Sequence, residues 1–216
     1  MKTSSIALSL ALAGFAAGAN ASTDDEIFRN GFDNVCRAAA CLLQIDGFTG
    51  TGTIHGMGTT DHTSFLWLNR FSPEPADFPF ALREVDIDFG TNGIAAYEKF
   101  DVYIYTDDDH DPTNGATLAL ALRGVMVENP LGAMQTVLFP YDLQLIDPCD
   151  ILIAIVNRDA AGSFPAKADD GVAFAGRSWA GGFGMAIADP PDLAQLELQL
   201  APDAVPGFTH NWILRG

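Results

Sequence analysis

Basic residues are scarce in this chain. Lys and Arg number 11 against 28 Asp and Glu in 216 residues, a formal net charge of −17. A surface so negative repels phosphate backbones and anionic lipid headgroups, so nucleic acid is excluded from the expected partners. Histidine is scattered: His55, His62, His110 and His210 form no pair at the spacing that aims two imidazoles at one metal. Long apolar runs are missing as well. The most sustained one, Ile6 to Ala17, falls short of the ~20 residues a transmembrane helix needs, so no membrane span is expected. No long segment repeats with a 3.6-residue period, which argues against a helical domain.

What stands at the N-terminus has a direct reading. Lys2, the apolar run and Ala19-Asn20-Ala21 form the charged, apolar and small-residue parts of a signal peptide over residues 1–21. The expected location is therefore secreted or periplasmic. Residues 22–46 read as a polar, partly flexible leader, and 47–216 as a β-sandwich domain. Export favours disulfides. Cys36, Cys41 and Cys149 are the candidates, one bridge is expected, and all three pairings are open.

The domain is expected to be all-β. In Arg83–Phe89, Val85, Ile87 and Phe89 alternate with Glu84, Asp86 and Asp88. In Phe100–Thr106, Phe100, Val102 and Ile104 alternate with Asp101, Tyr103 and Tyr105. A period of two means one face buried and one wet. Further strands are expected at 47–60, 63–69, 117–127 (broken at Gly124), 136–139, 151–157, 172–179, 193–200 and 208–214. Residues 71–80 read as a proline-rich loop. Short strands separated by Gly, Pro, Asn and Asp predict an antiparallel two-sheet sandwich, jelly-roll-like.

The runs DVYIYTDDDHDPTNGATLALA (101–121), ILIAIVNRDAAGSFPAKAD (151–169), RSWAGG (177–182) and GFTHNWILRG (207–216) together resemble an uncharacterised β-sandwich module of secreted bacterial proteins that closes on an NW-aliphatic-Arg motif. DEIFRNGFD resembles a leader of the IFxNGFD type seen in exported gammaproteobacterial proteins. The chain departs from the module at His210, where a Gly is expected. The resemblance implies a sandwich and brings no functional residue with it.

Three chemistries are candidates. Asp107, Asp109, Asp111 and Asn114 alternate oxygen ligands as calcium loops do, although Pro112 and Leu118 stand where an EF-hand needs Gly and Glu. Calcium is therefore a candidate cofactor, against the plain reading of a solvated turn. Tyr103 and Tyr105 beside Asp101 form a candidate platform for a polysaccharide or cell-surface component, with rings to stack on sugar faces and a carboxylate for hydroxyls. Trp67, Trp179 and Trp212 are either further rings for that face or core residues, and core is the favoured assignment because Trp is highly buried on average. Ser178, in Gly176-Arg177-Ser178-Trp179-Ala180, misses the last glycine of a nucleophile elbow and lacks the required strand-to-helix turn. The expected function is a secreted, non-catalytic sandwich that binds carbohydrate or a surface. The alternative is a secreted hydrolase acting on glycans.

Overall fold

The computed structural model describes residues 42–48, 54–60, 62–90, 93–128, 133–169, 175–195, 198–199 and 210–216. The expected signal peptide, most of the expected leader, Cys36 and Cys41 lie outside the described residues. Among those described, no helix is long and apolar enough to cross a membrane.

Twelve strands are described: β1 (Ile54–Thr59), β2 (Ser64–Phe71), β3 (Phe80–Ile87), β4 (Lys99–Asp107), β5 (Thr117–Met126), β6 (Gln135–Leu145), β7 (Asp150–Asn157), β8 (Ser163–Asp169), β9 (Ser178–Phe183), β10 (Leu198–Gln199), β11 (Asn211–Trp212) and β12 (Leu214–Arg215). All pair antiparallel. One layer is a six-stranded sheet in the order β10-β9-β2-β7-β4-β5. The other is made of two three-stranded sheets, β1-β8-β11 and β12-β3-β6. The expected antiparallel sandwich is the fold observed.

The last six residues stitch the second layer together. Phe89, just beyond β3, bridges directly to Ala166 of β8. Past that bridge the two strands part, and the C-terminal segment fills the fork. β11 lies along β8, the chain bends at Ile213, and β12 returns along β3. At the vertex Ile213 N–H donates to Lys167 O (2.9 Å) while Asp88 N–H donates to Ile213 O (3.2 Å). Gly216 and Leu43 exchange both backbone bonds, at 2.6 and 3.0 Å. The Arg215 guanidinium grips Asp46 at 2.5 and 3.0 Å and also donates to Phe48 O. Residues 43–48 therefore dock on the C-terminal strand.

Side-chain alternation explains the packing. Phe65, Trp67 and Phe71 of β2, Val102 and Ile104 of β4, and Ile151, Ile153 and Ile155 of β7 fill the space between the layers with Val85, Ile87, Phe89 and Trp212. Their neighbours Leu66, Leu68, Tyr103, Tyr105, Leu152, Ala154 and Val156 form a second cluster on the other face of the large sheet, beneath Ile187 and Leu193. β7 is buried at every position because both of its faces are covered, and its nearly unbroken apolar run has the composition such a strand needs.

Strand β8 was not anticipated. Its sequence, SFPAKAD, is short of β-branched residues and contains Pro165. The register of β1 against it slips between Met57 and Thr59, and Pro165 lies within that slip, where a missing N–H is tolerated. Two glycines let backbones close around this spot. A Cβ at Gly58 would stand 2.0 Å from Ser163 O, and one at Gly90 would stand 2.3 Å from Phe164 O. β5 is continuous: Gly124 does not end the strand but adopts φ +66 within it.

Candidate functional site

The residues expected to form a sugar platform lie under a strap. Residues 184–195 cross the outer face of the large sheet, leaving Tyr103 0% and Tyr105 3% exposed. This corrects the expectation of a wet face. The period-two pattern assigns the tyrosines to the correct side of β4, but the strap supplies the second apolar layer. Tyr105 Oη donates to Pro191 O at 3.0 Å. Tyr103 Oη lies 2.9 Å from Asp189 and 3.2 Å from Asp101, and accepts from Arg158 at 2.7 Å. Arg158 also donates to Asp101 (2.6 Å) and to Ile187 O (2.9 Å), while Arg123 donates to both oxygens of Asp189. These polar groups fasten the strap to the sheet. Burial, then the bond to Asp189, pushes the Tyr103 hydroxyl up to about 12. All three tryptophans are core residues.

The acidic turn occupies one end of the same sheet. Asp109 and Asp111 are bonded within the turn itself. Asp109 accepts from Asp111 N–H (3.0 Å) and from Asn114 Nδ2 (2.7 Å), while Asp111 accepts from the N–H and hydroxyl of Thr113. Such bonds are why Asp and Asn favour turns. Among the described residues, no three His, Cys, Asp or Glu side chains are grouped to hold a metal ion. In the structure this loop is a turn capped by its own side chains. Asp107 differs from its neighbours: it is buried and its Oδ2 has no hydrogen-bond partner among the described residues. Burial and the adjacent Asp109 raise its carboxyl above the ordinary value, whereas the bonds from Asp111 and Asn114 hold Asp109 below it.

Beside this turn the fold assembles groups far apart in sequence. His110, in the left-handed region at φ +69, places Nδ1 2.6 Å from Oδ2 of the buried Asp150. Arg70 approaches the same oxygen at 3.4 Å, donates to His110 O, and lies over the Trp179 ring. Asp107 and Asp150 are register partners across β4 and β7. Sequence reasoning had no access to this corner, because 40 residues separate His110 from both Arg70 and Asp150.

Two further candidates resolve into structural roles. Ser178 is 1% exposed and donates to Asn69 Oδ1 at 2.7 Å. Asn69 Nδ2 in turn donates to Trp212 O and Leu214 O, at 2.9 and 3.1 Å. The serine belongs to the bracket that holds the C-terminal strand. Cys149 is a half-buried thiol with no disulfide among the described residues, and its candidate partners Cys36 and Cys41 lie outside them. Burial, with Asp108, Asp150 and Asp147 nearby, pushes this thiol up to about 11, the reverse of what a nucleophilic cysteine requires.

An exposed apolar feature lies on β6, at the edge of the second layer. Leu143 pairs with Leu82 and Leu138 with Glu84, so four residues of β6, 139–142, stand opposite Arg83 alone. The resulting bulge presents Leu138 at 71% and Tyr141 at 59% exposure, beside an Arg83–Asp142 ion pair at 3.2 Å. Comparison with protein-family models, with curated proteins and with solved structures found no match for this chain.

Proposed function

We propose that the chain is an exported, non-catalytic β-sandwich that binds carbohydrate or a cell-surface component through the β6 bulge. The exposure of Leu138 and Tyr141 there is the observation that carries the reading. Exposed apolar clusters rimmed by polar groups mark interaction sites. A tyrosine ring suits the apolar face of a sugar, and the flanking Arg83, Asp142 and Gln144 supply donors and acceptors for hydroxyls. The reading thus moves the sugar contact from Tyr103 and Tyr105, which the strap covers, to Tyr141. Pull-down on a panel of insoluble polysaccharides tests it. Wild type is retained and Tyr141→Ala passes through. Equal behaviour of the two proteins, or no retention of wild type on any polymer, overturns it.

A secreted hydrolase acting on glycans is the second reading, and Asp107 with Asp109 is what favours it. One carboxyl is raised and buried and its neighbour is lowered and exposed, the division of roles seen in acid and base pairs. Reducing ends released from glycans by wild type and not by Asp107→Asn would establish it.

A further inference from the structure

Lys167 and Asp88 face each other across β8 and the end of β3, immediately beside the Phe89–Ala166 bridge. Lys167 Nζ stands 2.6 Å from Asp88 Oδ2, and the two side chains are only 5% and 2% exposed. The Phe48 ring caps the amine, its centroid 4.7 Å from Nζ. As an ion pair this arrangement is poorly served. An ammonium has three N–H donors, and Asp88 Oδ2 is the one oxygen bonded to it among the described residues. Asp88 Oδ1 is buried with no hydrogen-bond partner among the described residues. A buried pair repays its desolvation only when the remaining protons and lone pairs are also satisfied.

The same geometry suits a different outcome. A nitrogen nucleophile touches a carboxyl group, water is kept out, and both groups are fixed on adjoining strands. Two reactants held in this way behave as if at effective concentrations on the order of 10⁵ M or more. We propose that Lys167 and Asp88 form an intramolecular isopeptide bond.

The step balances within the pair. The ammonium passes a proton to the carboxylate, giving an amine and an acid. The nitrogen lone pair attacks Cγ of Asp88, the C–O bond breaks, and the hydroxyl leaves with a second proton from nitrogen as water. No oxidant or cofactor enters. One positive and one negative charge disappear together, and the bare carboxylate is replaced by an amide. The link joins β3 to β8 at the point where they part to admit the C-terminal strand, so it holds the fork together.

The test uses the full chain, unfolded and digested with trypsin, with the fragments weighed. Uncrosslinked protein releases 84–99, 159–167 and 168–177. The bond blocks cleavage at Lys167 and yields 84–99 joined to 159–177, lighter by one water than the two separate peptides. Lys167→Arg keeps the charge pair and removes the amine, so the branched peptide disappears. Asp88→Asn gives the wild-type branched peptide, because ammonia leaves in place of water. Separate peptides of ordinary mass from folded wild-type protein overturn the proposal, whatever the variants do.

Discussion

Replacing Asn69 by leucine should loosen the C-terminal strand more than any surface change could. Asn69 is fully buried, donates to Trp212 O and Leu214 O, and accepts from Ser178 Oγ. Leucine is close in shape and can make none of these bonds. Three bonds at roughly 1 kcal/mol each, with a desolvation penalty for the orphaned groups, place the loss at about 3–5 kcal/mol. A typical domain has about 5–15 kcal/mol in total. The assay is equilibrium urea unfolding followed by the fluorescence of Trp67, Trp179 and Trp212, all buried. With a slope of about 2 kcal/mol/M, the midpoint falls by about 1.5–2.5 M. Ser178→Ala adds a second arm. In the wild-type background it strands Asn69 Oδ1, whereas in the Asn69→Leu background it removes a hydroxyl that has already lost its acceptor. The coupling between the two changes should be at least about 1 kcal/mol. A loss below about 1 kcal/mol for Asn69→Leu, or strict additivity, would refute the bracket described above.

Two titrations probe the large sheet. The Tyr103 hydroxyl is raised to about 12 against about 10 in an unfolded chain, so its contribution is complete below about pH 10 and is lost as pH climbs through 12; Tyr103→Phe should flatten the alkaline fall in melting temperature between those values, and an unchanged slope counts against the strap's fastening. The Asp107 carboxyl is also raised, so its contribution is present below the ordinary carboxyl range near about pH 4 and is lost as pH rises through the folded value. Asp107→Asn should therefore melt higher than wild type at pH 7 and equally near pH 3, and a lower melting temperature at pH 7 would contradict the burial argument.

Much of the fold was legible because strand alternation is a local property. Val85, Ile87 and Phe89, and likewise Phe100, Val102 and Ile104, are the inward residues that the period of two assigns. β8 was not legible: Pro165 and three small residues carry no β signal, and the strand is held by partners on both sides. Of the candidate sites, the acidic turn could be located but not interpreted. Whether its carboxylates turn outward to a cation or inward to their own N–H groups depends on backbone dihedrals. Asp150, Arg70 and Asn69 reach their partners only through strand pairing.

The division has a physical cause. A single strand's pattern determines which side chains share a face, since successive Cβ atoms point to opposite sides of the sheet. That is why the sequence alone could specify an antiparallel sandwich, whereas the burial of Trp67, Trp179 and Trp212 in its core is a finding of the structure. The sequence could not say what lies against each face. Tyr103 and Tyr105 alternate with the core just as exposed residues do, and only the strap 184–195, folded back from a distant part of the chain, decided that they are buried. Likewise the alternation of Arg83–Phe89 puts Asp88 on the wet face, and only the fork between β3 and β8 brought it against Lys167 away from water.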